Sequence, residues 1–198
     1  MLQSKMLASV NRPKVVAVHQ LYVPTKSSQE AVGYDVRAYI TDLCTEEHLL
    51  DAASMAWSSS NEHAVVVDGV KTAITDSCLK EKVLGQCGTF IYPQERRLVS
   101  CGFQIQTPVC MMLVPRSGLA CKYGLTLSNS PGIVDPDYRG DIKVCLFNTG
   151  SLPIFIRDKD RVAQALFIYT LSVGTLIEVE TLDPTERDHA GFGSTGIR

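Results

Sequence analysis

The chain has 198 residues, enough for one domain or for one domain carrying a sizeable insertion, but too few for two full enzyme domains. With 19 Lys and Arg against 21 Asp and Glu the formal charge is -2, and 45% of residues are hydrophobic, which excludes a disordered chain and a broad nucleic-acid-binding surface. No apolar run approaches the roughly 18 residues of a membrane span, and the N-terminal sequence MLQSKMLASVNRPK lacks the apolar core of a secretory signal. A soluble cytoplasmic protein is expected. The seven cysteines agree with a reducing compartment: they are scattered, contain no C-x-x-C pair, and mostly have apolar neighbours, as in Val109-Cys110-Met111 and Val144-Cys145-Leu146.

Taken in chain order, segments 14–19, 32–40, 97–106, 109–114, 141–147, 153–157, 162–169 and 175–179 are rich in Val, Ile, Phe and Tyr and read as short strands. Ser117-Gly118, Ser130-Pro131-Gly132, Arg139-Gly140 and Thr149-Gly150-Ser151 punctuate them as turns. This pattern predicts an all-β sandwich or barrel. The block from about 41 to 88 has a different texture. Residues 46–57 open with two acids and continue with Leu49, Leu50, Ala53, Ala56 and Trp57 at helical spacing, which predicts an amphipathic helix; a loop follows, then a short strand at 64–67. The tail from 183 to 198 is polar, Gly-rich and expected to be mobile without a ligand.

Five segments carry chemistry. Ala31-Val32-Gly33-Tyr34-Asp35-Val36-Arg37 is a strand with one acid. Pro115-Arg116-Ser117-Gly118 follows a strand with a guanidinium, a hydroxyl and accessible backbone N–H groups, a set suited to phosphate oxygens. Asn129-Ser130-Pro131-Gly132-Ile133-Val134-Asp135-Pro136-Asp137-Tyr138 sets an acid in apolar company at a hairpin, either a structural acceptor or a general base. Residues 157–167 are a charged turn entering an apolar strand that carries one amide, Gln164. Arg187-Asp188-His189-Ala190-Gly191-Phe192-Gly193-Ser194-Thr195 places an Arg, an aromatic and two hydroxyls in a Gly-rich tail able to close over a ligand.

In this order the five segments resemble the motif series of the trimeric dUTP pyrophosphatases, the dUTPases, over nearly the whole chain except about 41–88. The resemblance implies a jelly-roll subunit in a homotrimer with active sites at subunit interfaces. It implies hydrolysis of dUTP to dUMP and pyrophosphate, which keeps uracil out of DNA and supplies dUMP for dTMP synthesis. Asp135 would activate the water that attacks the α-phosphate. Mg²⁺, held mainly by the substrate phosphates, would be touched through water by Asp35. Arg116, Ser117, Gly118 and Gln164 would hold the phosphates. Asn129, Gly132, Ile133 and Val134 would read uracil, Tyr138 would pack under the deoxyribose, and Lys143 would touch the base region through its backbone. Arg187, Gly193, Ser194 and Thr195 would close on the phosphates, with Phe192 over the ring.

Lys159-Asp160-Arg161 departs from the family's usual Gly-Asp-Arg, and Asp188 and Ala190 stand where Gly is common. The insertion, which viral and phage members also carry, is expected near the surface; for a viral chain the compartment would be the host cytoplasm or nucleus. It is a candidate docking surface for a regulatory protein, although Trp57 is expected to pack it onto the barrel. The alternatives are a jelly-roll binding protein with degenerate motifs and a dCTP deaminase-like or bifunctional enzyme on the same fold; residues 138–143 lack the Glu base of that branch. No membrane or nucleic-acid partner is expected.

Overall fold

A computed structural model of the chain describes residues 12–60, 64–171 and 176–185. Four small sheets make up the described fold. Strand β1 (Lys14–Ala17) pairs with β7 (Phe103–Gln106). The strands β2 (Tyr34–Arg37), β13 (Arg161–Ile168), β8 (Cys110–Pro115) and β10 (Gly132–Val134) lie side by side in that order. A three-stranded sheet holds β6 (Arg96–Ser100), β11 (Lys143–Asn148) and β9 (Leu125–Leu127), and the fourth holds β5 (Gly88–Ile91), β12 (Ile154–Arg157), β3 (Ala64–Val67) and β4 (Val70–Ala73). Helices α1 (Glu46–Ser60), α2 (Ser77–Val83) and α3 (Ser117–Tyr123) complete it. This is the all-β, jelly-roll-like fold expected, with a partly helical insertion.

Alternation sets which side chains enter the core. Phe103 and Ile105 on β7 point inward while Gln104 and Gln106 point out, and on β11 Val144, Leu146 and Asn148 are buried. Asn148 survives there because its amide is satisfied: Nδ2 donates to Ile91 O and Leu152 O, and Oδ1 accepts from Gly150 N. The expected single strand at 97–106 is two. It breaks at Gly102, whose φ of 68° favours glycine and whose missing Cβ leaves room for Tyr22 and Tyr39 at 3.1 Å.

The insertion is built into the barrel rather than laid on it. Strand β3 is buried at every position, because Val66 joins the main core while Val65 and Val67 face a second core with Leu49, Ala52, Leu79 and Val83. β12 divides in the same way: Ile154 and Ile156 face the first core and Phe155 the second, where it meets Phe90 with ring centroids 4.9 Å apart. Such strands lie between two cores and read as continuous apolar runs.

Three details differ from the sequence reading. The buried stripe of α1 is Leu49, Ala52 and Ala56; Leu50 is 69% exposed and Trp57 is half-buried. The helix continues through three serines to Ser60, beyond the expected end at 57. Residues 176–179 do not form a strand with any of the described residues, and Leu176 and Ile177 are exposed. Of the cysteines, Cys44, Cys101 and Cys110 are buried, and all seven are free thiols. Burial, with Asp141 nearby, pushes the Cys101 thiol up to about 12.

Candidate active site

Sheet pairing assembles three distant segments. β13 pairs with β2 on one side and β8 on the other, placing Gln164 opposite both Asp35 and Val114. Opposed residues on neighbouring strands share a face, so the first-segment acid and the fourth-segment amide lie together. Gly33 borders the same amide; a Cβ there would lie 3.4 Å from Gln164 Cδ.

Asp35 is the electrostatic centre, a carboxylate only 5% exposed. Arg161 Nη1 donates to its Oδ2 at 3.2 Å, and Arg116 Nε stands 3.5 Å from its Oδ1. A buried carboxylate needs such partners. Its Oδ1 nevertheless lacks a hydrogen bond. Arg116 is further steadied by donating from Nη1 to Arg161 O at 3.1 Å.

Arg161, part of the charged turn of the fourth segment but given no role from the sequence, is a site residue. Strand alternation would put 161 and 164 on opposite faces, but the register shifts between Arg161 and Ala163, and this bulge turns both toward Asp35. Behind it, the turn of residues 157–160 is held by Arg157 N donating to Asp160 Oδ2 at 2.9 Å and by Lys159 N donating to Ala38 O at 2.8 Å. Burial raises the Asp160 carboxyl above its ordinary range, opposed by the Arg157 N–H and by the Arg157 and Arg37 guanidinium groups.

The unusual Lys159 has φ 70°, the left-handed region that glycine enters freely and an L side chain enters at a cost of roughly 1–2 kcal/mol. The turn therefore keeps its shape and Lys159 carries the strain. Lys159→Gly should raise unfolding free energy by up to about 1 kcal/mol once the greater freedom of Gly in the unfolded chain is subtracted. Urea denaturation checks this, and a loss above about 1 kcal/mol would show that the strain is offset elsewhere.

The second segment opens α3, a helix that the sequence reading took for a turn. Arg116 is its N-cap and supplies no side-chain cap bond. The first N–H groups of a helix have no intrahelical acceptor, so those of Ser117 and Gly118 remain for another partner. A Cβ at Gly118 would meet nothing within 4 Å, and both residues are exposed.

The third segment forms a separate cleft of about 220 Å³ lined by Ile133, Val134, Asp135, Tyr138 and Lys143, with Asp141 and Ile142 behind. Tyr138 folds back to donate to Asp141 O at 3.1 Å, a position available because residue 140 is Gly: a Cβ there would lie 2.6 Å from Tyr138 Cζ. Asn129 is exposed beside Gly132, its Nδ2 3.4 Å from where a Cβ would stand. Asp135 is also exposed, so its apolar company in the sequence does not bury it within one chain. Along β8, Val134 is opposite Met111 whereas Gln164 is opposite Val114, a three-residue offset. That is roughly 10 Å at about 3.3 Å per residue, with β10 and β13 on either side of β8. One chain does not bring Asp135 to the Asp35 cluster. Arg187, Phe192, Gly193, Ser194 and Thr195 lie outside the described residues.

The dUTPase family model matches residues 87–196. The deoxyuridine 5'-triphosphate nucleotidohydrolase of Heliobacterium modesticaldum is 50% identical over 109 residues, covering 54% of this chain and 67% of that protein. Among solved structures, the dUTPase of Staphylococcus bacteriophage 80alpha aligns with TM-score 0.62 and 16% identity over 93% of this chain and 98% of that one. The dUTPase of phage phi11 of S. aureus, described with a structural Mg(II) ion, aligns with TM-score 0.56 and 14% identity over 86% and 98%. The fold and the matched family thus define a jelly-roll-like nucleotide hydrolase. More narrowly, the chain belongs to the dUTPase family, the dUTP diphosphatases. The first segment lies upstream of the matched residues, separated from them by the insertion, and joins the site through the pairing of β2 with β13. Among the described residues no helix is long and apolar enough to cross a membrane.

Proposed function

We propose that the chain hydrolyses dUTP to dUMP and pyrophosphate in a composite site, with Asp135 as general base and the Asp35 cluster as the phosphate grip. The observation that carries this reading is the convergence of Asp35, Arg116, Arg161 and Gln164 from three distant segments beside the unbonded N–H groups of α3. Two guanidinium groups and an amide can meet the roughly four negative charges of a nucleoside triphosphate locally, which a nearly neutral protein surface cannot do. Asp35 aims the two arginines. Ser117 and Gly118 add donors, and Arg187, Gly193, Ser194 and Thr195 bring further ones from the tail.

Asp135 takes the proton of a water as that water attacks the α-phosphorus, and pyrophosphate leaves. Asn129 and the backbone of Gly132, Ile133 and Val134 pair with the uracil edge, Lys143 touches the base region through its backbone, Tyr138 packs under the deoxyribose and Phe192 covers the ring. The offset along β8 supports a second copy supplying the Asp135 half, and we take that assembly to be the family's homotrimer, with sites between subunits.

Asp35 also fits an indirect contact with Mg²⁺. Its Oδ1 is a hard oxygen donor left without a hydrogen bond, while the two flanking guanidinium groups disfavour direct ligation. When bound, Mg²⁺ neutralises phosphate charge and polarises the phosphoryl oxygens.

Pyrophosphate release should be rapid with dUTP and at least about 10²-fold weaker with dCTP, since cytosine would leave buried polar groups unpaired. The methyl of dTTP and the 2′-hydroxyl of UTP should be rejected sterically. Ammonia release from dCTP would transfer the reading to the deaminase branch, and pyrophosphate release from dCTP as fast as from dUTP would overturn the uracil selectivity.

A further inference from the structure

The insertion grips the phosphate site at two points. Strands β3 and β4 are joined by a two-residue turn, Asp68-Gly69, with φ of 53° and 67°, the mirror-type turn that suits hairpin twist. Tyr123 Oη donates a short hydrogen bond to Gly69 O, and Tyr123 is the last residue of α3, the helix that Arg116 begins. At Gly69 the φ of 67° favours glycine, and a Cβ would press on Tyr123 Oη at 2.9 Å. Asp68 forms a close ion pair with Arg157, whose Nη2 also donates to Lys82 O of α2 at 2.6 Å. Arg157 opens the turn that delivers Arg161. A cavity of about 310 Å³ is lined by Asp68 and Gly69 together with Arg116, Tyr123 and Arg161.

From these contacts we infer that the Asp68-Gly69 turn is a positioning element for the phosphate grip, so that the insertion and the nucleotide are coupled. The inference rests on the reading of Arg116 and Arg161 as phosphate ligands. The main-chain carbonyl of Gly69 fixes the far end of α3, and the Asp68 carboxylate fixes the head of the 157–160 turn. Each guanidinium that faces Asp35 therefore sits on an element tied to the same two residues. Coupling of this kind is reciprocal: what holds the hairpin in place favours the nucleotide, and the nucleotide holds the hairpin.

The test pairs kinetics with hydrogen exchange. Tyr123→Phe removes only the hydroxyl, and Asp68→Asn keeps a residue tolerant of positive φ while removing the charge. Each should raise KM for dUTP about 5–10-fold with a smaller fall in kcat, the range expected for one lost hydrogen bond. In the unaltered protein, α,β-imido-dUTP should slow amide exchange over residues 64–73, and this nucleotide-dependent slowing should be lost in the double variant. A fold defect alone would speed exchange with and without nucleotide. If α,β-imido-dUTP leaves the hairpin's exchange unchanged in the unaltered protein, the coupling is overturned without recourse to any variant. Arg116→Ala separates the two readings. An unchanged KM in that variant overturns the phosphate grip itself. A raised KM there, with KM unchanged in both hairpin variants, overturns the coupling alone.

Discussion

Asp135→Asn should lower kcat for dUTP by about 10³-fold while shifting KM little, because a positioned general base contributes roughly 10²–10⁴-fold. The substitution preserves shape and removes only the ability to accept a proton at the working pH. Within one chain the fold asks little of this carboxylate: Asp135 is exposed, and its recorded bond is through the main chain, Tyr138 N donating to its carbonyl at 3.1 Å. Circular dichroism and thermal unfolding should therefore match the parent protein, which makes the kinetic loss a statement about chemistry. Steady-state pyrophosphate release at saturating dUTP is the measurement. Turnover within about tenfold of the parent would remove Asp135 from the role of base and direct attention to another acceptor in the third-segment cleft.

The parts of this fold that depend on side-chain chemistry at fixed spacing were legible; those that depend on backbone geometry were not. The acid at Asp35, the Arg116-Ser117-Gly118 triplet and Gln164 are visible as residues, and sheet pairing then places Asp35 opposite Gln164. Arg161 was hidden by a bulge, since a register shift leaves no mark in composition and reverses the face that alternation assigns. Helix α3 was hidden by its shortness and its Gly118, although Gly124 at φ 73° marks its end and Leu119 and Tyr123 stand one turn apart. Asp68-Gly69 between Val67 and Val70 is a hairpin signal that pairs the expected strand at 64–67 with a second strand, β4. Burial of β3 between two cores depends on β12 lying alongside it, a pairing between residues far apart in sequence.

A mixture of two inactive proteins should be active. Arg116→Ala removes a guanidinium from the phosphate grip and Asp135→Asn removes the base, so each variant alone should release pyrophosphate at a small fraction of the parent rate. If the site joins the grip of one subunit to the base of its neighbour, a trimer containing both variants holds sites in which an intact Arg116 meets an intact Asp135. With equal amounts refolded together and random assembly around a closed ring, about a quarter of the sites should be intact, so activity should return to about a quarter of the parent value. The offset along β8 motivates this, because within one chain Val134 and Gln164 are opposite residues three apart on β8. A second mixture fixes the geometry independently. Parent chain refolded with an equal amount of the Arg116→Ala, Asp135→Asn double variant should keep about half its sites if both groups come from one subunit, but only about a quarter if they come from two. Absence of recovery in the first mixture, together with half activity in the second, would place the whole site within a single chain. It would require β10 to move toward β13 when nucleotide binds.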